Sequence, residues 1–137
     1  MSNLPLSKSL NLLLWIAQGL VAATLLWGGC TKLFTPETEL AALWPWTADV
    51  SPAFVKFTGI VDLLAAVGLI LPAALRIQPK LTPAAALGVV LLMIAASVFH
   101  ISRGEGSSIG INIFVGVLAG FIAWGRRYTY VSEKVHN

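Results

Sequence analysis

Charge is what this sequence has least of. Only 11% of its 137 residues are Asp, Glu, Lys or Arg, against about 25% in an ordinary soluble domain. Cysteine occurs once and histidine twice. A single cysteine excludes an internal disulfide and any Cys-x-x-Cys redox pair. The two histidines, His100 and His136, form no cluster with ligand spacing, so no metal site is expected. No Gly-x-Gly-x-x-Gly or phosphate-loop motif occurs, and no serine sits in a nucleophile elbow. Only one carboxylate lies deep in an apolar run, which argues against paired-carboxylate catalysis. Without a basic-aromatic cluster, nucleic acid is not an expected partner. Whether the chain takes part in an enzyme at all stays open, because no self-contained catalytic or redox motif is present.

What is there is apolar. Hydrophobic residues make up 57% of the chain, and mean hydropathy is +0.82. A soluble domain of this length cannot hide so much apolar surface, so lipid must cover it. Four runs are long enough to cross ~30 Å of hydrocarbon. They extend from about Leu10 to Phe34, from Ser51-Pro52 to Leu71-Pro72, from Thr82-Pro83 to Ile101, and from about Ser108 to Trp124. Ser51-Pro52, Thr82-Pro83 and Thr35-Pro36 each offer a capping hydroxyl before a proline at the first helical position. The segment Pro36 to Leu43 is too short to cross. Ending in Trp44-Pro45-Trp46, it reads as an interfacial helix anchored by tryptophans. The polar tail after Tyr130 is expected to fray. The expected fold is an all-α membrane protein, an antiparallel four-transmembrane-helix bundle with a short interfacial helix after the first span. One domain, 1–137, is the natural count. The first run is too long for a signal peptide, and no small-x-small cleavage site follows it. Leu26-Trp27-Gly28-Gly29-Cys30 resembles a lipoprotein cleavage box only in part, since Trp27 stands where that box needs an aliphatic residue. Cys30 therefore reads as a small helix-packing residue.

The distribution of basic residues orients the bundle. Four spans put both termini on one side, with the loop between spans two and three. That side holds Lys8, Arg76, Lys80, Arg126, Arg127 and Lys134; the other holds Lys32, Lys56 and Arg103. This bias predicts both termini in the cytoplasm.

Four polar side chains interrupt the runs, one per span: Lys32, Asp62, His100 and Asn112. Asp62 lies ten positions after Pro52, about 15 Å along the helix. An ionised carboxylate there costs at least ~2.5 kcal/mol unless it is paired, protonated or wetted. Helical side chains lean toward the N-terminus of their helix. In an antiparallel bundle, Lys32 and Asp62 therefore lean toward each other, while His100 leans inward and Asn112 outward. All four aim at one layer in the outer half of the membrane. Each has a bland alternative: an interhelical lock for Asp62, snorkelling for Lys32, a helix-end cap for His100. Asn112, Gly116 and Gly120 share a stripe that permits close helix approach. Gly28 and Gly59 precede Lys32 and Asp62 by four and three positions, as packing sites or as space for a flat ligand.

These residues carry a resemblance. Trp27-Gly-Gly-Cys-Thr-Lys32-Leu-Phe34, then Gly59-Ile-Val-Asp62-Leu-Leu-Ala-Ala-Val-Gly68-Leu-Ile-Leu-Pro72, then Leu81-Thr-Pro83, His100 and Asn112 together resemble the DoxX-like membrane proteins. The resemblance runs from about Leu10 to Arg127. The family position matching Asp62 is often glutamate; aspartate keeps the charge and shortens the reach. The family takes its name from a subunit associated with archaeal quinone-linked sulfur oxidation, and other relatives look like accessory parts of membrane redox systems. The resemblance thus implies a four-helix bundle in a prokaryotic cytoplasmic membrane, associated with redox partners.

The reading that unites these features is a small accessory subunit whose polar layer receives a quinone-type headgroup. Lys32, His100 and Asn112 supply donors to its carbonyls, and Asp62 and His100 exchange protons. A membrane quinone is then the only cofactor, and a haem, flavin or iron-sulfur centre belongs to a partner protein. The alternatives are a non-catalytic scaffold or assembly factor, in which the layer fixes helix register, and a small-molecule or proton-coupled transporter, which short unbroken spans disfavour. The lipid bilayer is a partner in every case, and oligomerisation is left open.

Overall fold

A computed structural model describes residues 6–135, with side-chain surroundings described as far as Arg127. It has the expected architecture. Helix α1 spans Lys8–Phe34, the short α2 Glu37–Leu43, α3 Pro52–Leu75, α4 Leu81–Ser102 and α5 Gly110–Val135. A 3₁₀ turn, Pro45–Asp49, joins α2 to α3, and another, Gly106–Ile109, leads into α5. There is no strand among the described residues. Four of the helices are long and apolar enough to cross a membrane. They pack in a ring, α1 on α3, α3 on α4, α4 on α5, and α5 back on α1. Leu69, Ala86, Val89, Ala119 and Ile122 fill its centre with no exposed surface. Leu64, Leu91 and Val117 on the outside are about two-thirds exposed, the inverse of a soluble bundle and the surface that lipid covers.

The ends of the helices follow the sequence signals in part. Ser7 and Ser51 accept the backbone N–H of Leu10 and Phe54 at 3.1 and 3.2 Å, as N-caps should. Thr35 caps nothing with its side chain; it closes α1, and α2 starts without a side-chain cap. Thr82 is not a cap either, because α4 begins one residue earlier, at Leu81. Its hydroxyl points to the Gly68 carbonyl of α3 at 3.5 Å. That oxygen lacks its helical donor because Pro72, four residues on, has no N–H. Pro72 therefore does not end α3, which continues to Leu75. Nor does the fourth helix stop at Trp124: α5 continues to Val135. His136 lies outside the described residues.

One crossing governs the rest. A Cβ on Gly29 would sit 2.8 Å from the Gly59 carbonyl oxygen, and one on Gly59 would sit 3.0 Å from the Lys32 Cβ. Only glycines allow the α1 and α3 backbones to come this close. A Cβ on Gly116 would meet the Met93 Cβ of α4 at an ordinary 3.5 Å, whereas Gly120 has open space where a Cβ would go. The glycine stripe of α5 is therefore a packing surface at Gly116 alone.

Candidate functional site

Lys32 and Asp62 each follow a glycine of the α1–α3 crossing by three residues, Gly29 and Gly59. Each stands one turn past the contact, and each side chain leans back toward it. The result is a direct ion pair: Lys32 Nζ donates to Asp62 Oδ2 at 2.8 Å. The Asp62 side chain is only 7% exposed and that of Lys32 16%. Gly28 keeps the wall beside the carboxylate thin, since a Cβ there would stand 3.7 Å from Asp62 Oδ2.

The pair stands on the wall of a cleft of about 850 Å³, to which all four long helices contribute. His100 from α4 and Asn112 from α5 line the same cleft, so the four polar residues singled out in the sequence do converge. They do not form one network. His100 Nδ1 lies 2.7 Å from Glu105 Oε2, with the carboxylate as acceptor. Arg103 joins it, its Nε donating to Glu105 Oε1 at 2.9 Å and its Nη2 to Asp49 Oδ2 at 2.6 Å. The local cause is the end of α4. Gly104 adopts φ 74°, and the Gly104 and Glu105 N–H groups bond back to the Ile101 and His100 carbonyls at 3.0 and 2.8 Å. This is the Schellman geometry of a helix C-terminus, and it folds Glu105 back over His100. The two bases hold the Glu105 carboxyl below its ordinary range, His100 contributing most through its hydrogen bond and Arg103 next through another.

Asn112 differs from the other three. Its side-chain Nδ2 is buried and has no hydrogen-bond partner. A buried unpaired amide donor costs about 1–3 kcal/mol, so this group is a cost to the bundle.

Tryptophans roof the cleft. Trp44 packs edge-on against Trp27 with centroids 5.5 Å apart. Trp46 packs edge-on against Phe99 at 5.8 Å and against His100 at 6.4 Å, and its ring lies 5.9 Å from Lys32 Nζ. Trp44 and Trp46 both line the cleft, and Arg103–Asp49 ties their segment to the end of α4.

A second polar cluster lies toward the other end of the bundle, where α1 starts. Arg126 is 6% exposed. Its Nε donates to Gln18 Oε1 at 2.6 Å and its Nη1 to Asn11 Oδ1 at 2.8 Å, with the guanidinium 5.1 Å from the Trp15 ring centroid. Gln18, fully buried, donates in turn to the Leu69 carbonyl at 2.5 Å. Charge counting reads Arg126 only as a topology signal, and the structure shows that its side chain is buried as well. The signal was present as spacing: Asn11, Trp15 and Gln18 share one face of α1, and Arg126 continues the buried stripe Ala119, Ile122, Ala123.

Among the described residues no group of three or more His, Cys, Asp or Glu could hold a metal ion. No curated protein and no solved structure matches this chain. The DoxX-like family matches residues 16–122, a stretch that contains Gln18, the crossing glycines, the ion pair, the cleft tryptophans, His100 and Asn112. This chain of four membrane-crossing helices belongs to the DoxX-like family of membrane proteins.

Proposed function

We propose that the protein is an accessory subunit of a quinone-linked redox system, and that its cleft receives the quinone headgroup from the bilayer. The observation that carries this reading is that Asn112 lines a cleft walled by aromatic rings and keeps a buried Nδ2 without a partner. A carbonyl oxygen is the acceptor this donor lacks. A flat ring suits the open edge left by Gly28 and the faces of Trp27, Trp44 and Phe99. Lys32 has donors beyond the one given to Asp62, so the pair orients a second carbonyl while the carboxylate neutralises the ammonium. His100, held by Glu105, is a proton carrier at the rim. The quinone itself supplies two-electron, two-proton chemistry when bound; the electrons pass to or from a partner protein that carries the redox group. With both termini in the cytoplasm, as the basic residues predict, the cleft faces the outer half of a prokaryotic cytoplasmic membrane. A reporter fused after Asn137 then works only in a form active in the cytoplasm.

The direct Lys32–Asp62 pair also favours a second reading, a non-catalytic scaffold in which the pair only fixes the register of α1 on α3. Thermal unfolding in mild detergent separates the two. On the first reading a short-chain quinone analogue raises the unfolding temperature. Asn112→Leu stays folded and loses most of that shift, and His100→Ala loses part of it. If no quinone analogue moves the unfolding temperature of the folded wild type, the scaffold reading stands instead.

A further inference from the structure

A smaller cavity of about 340 Å³ lies between α2, its following 3₁₀ turn and the start of α3. It is lined by Glu37, Thr38, Thr47 and Lys56 among others, and Glu37, Thr38 and Lys56 are exposed. Its wall, like that of the main cleft, is mostly apolar, but it opens beside the exposed charges of Glu37 and Lys56, which water reaches. Comparing the two linings, a single residue is common to both, Lys32. Lys32 therefore stands between the cleft and the small cavity, a vestibule beside α2.

We infer that the small cavity is the aqueous branch of the site, and that Lys32, backed by Asp62, passes protons between the cleft and the medium through it. The balance is simple. The Lys32 ammonium gives one proton to vestibule water and becomes an amine. It then takes one proton from the group in the cleft, and the ion pair is restored. One proton has moved from cleft to medium with no other change, and the reverse sequence delivers one. Asp62 keeps the ammonium in place between the two cavities at 2.8 Å. Of the other charged groups on this path, Glu37 and Lys56 line the vestibule itself. The idea rests on the cleft holding a ligand that exchanges protons, but access to Lys32 can be read without any ligand.

The test is cysteine accessibility in the full-length chain in membranes. The background is Cys30→Ser with Asp62→Asn, which avoids stranding a carboxylate, and the target is Lys32→Cys. A small, membrane-impermeant thiosulfonate should label Lys32→Cys from the side of α2. Filling the vestibule with Thr38→Trp or, independently, Ala41→Trp should bring labelling down to that of a lipid-facing control, Leu64→Cys. Filling the main cleft with Ala96→Trp should leave the rate unchanged. Slowing by Ala96→Trp, alone or with the vestibule variants, overturns the inference, because Lys32 is then reached through the cleft. So does a Lys32→Cys that never labels. Neither outcome touches the quinone thermal shift, so the two ideas fail separately.

Discussion

At one end of the bundle a buried arginine is wrapped by two amides and an indole. At the other, a lysine–aspartate pair stands on the wall of an open cleft. Both clusters put a cation in an apolar setting, which is expensive without partners. Their surroundings differ. Gln18 spends its amide on both sides, accepting from Arg126 and donating to Leu69, and neither Asn11, Gln18 nor Arg126 lines either cavity. Around the cleft, Asn112 keeps a buried donor unspent, and His100, Lys32 and Asp62 all face the same space. Arg126 Nη2 is likewise buried without a partner, so the two clusters differ less in unspent donors than in place: one is closed among the helices and the other lines a cleft.

The sharpest way to break this comparison is at Gln18. Gln18→Leu removes the acceptor of Arg126 Nε and leaves a buried guanidinium with one amide fewer. A lost hydrogen bond to a charged group in such a place costs about 1.5–3 kcal/mol, and stranding the charge pushes the loss to the upper end. Denaturant unfolding in detergent should show about 3 kcal/mol of destabilisation, largely recovered when Arg126→Met is added. The same polar-to-leucine change at Asn112 removes an unsatisfied donor and should leave folding nearly unchanged. Equal losses at the two positions would erase the distinction between register and site.

A middle-sized effect belongs to the ion pair. Asp62→Asn weakens the Lys32 contact and leaves the ammonium without its counter-charge, at a cost of about 1–3 kcal/mol. Lys32→Met added to it should return part of that loss, so that the double-mutant cycle shows coupling. Strictly additive losses would show that the 2.8 Å contact carries no net stability, and would move the pair from register to ligand chemistry alone.

How far the sequence showed these clusters follows from what each rests on. The four spans were legible because length and hydropathy are local properties. Lys32 and Asp62 were legible as a pair because lean direction is a property of any helix, and antiparallel order did the rest. Gly59 was noticed but its partner Gly29 was not, since which glycine faces which is decided by the crossing. Glu105 escaped because it reaches His100 only through the left-handed turn at Gly104, outside the helix where spacing arguments apply. The burial of Arg126 is not legible from charge counting, because two adjacent arginines near a helix end look alike in sequence, while only Arg126 continues the buried face. Asn112 is legible as a polar residue aimed at the layer, but its lack of a partner is a fact of packing that spacing cannot carry.

The smallest effect tests the cleft rim by pH, and acid acts on the two clusters unequally. The Arg126 cluster is built of amides and a guanidinium, groups that do not change charge between neutral and mildly acidic pH. The rim network turns on Glu105, whose carboxyl is held below its ordinary value of 4.5 by the hydrogen bond from His100 and then by Arg103. A carboxyl depressed on folding adds stability that is complete above the unfolded-state value and is lost as pH falls through the folded-state value. Its loss should therefore begin below pH 4.5 and deepen with acid. The network is partly exposed, so the effect is small. The measurement is the difference in unfolding temperature between wild type and Glu105→Gln, followed from neutral pH into that window. Asp49 and Asp62 are common to both proteins, so only their coupling to Glu105 enters the difference. The wild-type advantage should be constant at neutral pH and should shrink on the acid side. Parallel curves throughout would mean that Glu105 does not stabilise the rim, and that His100 faces the cleft without a fixed partner.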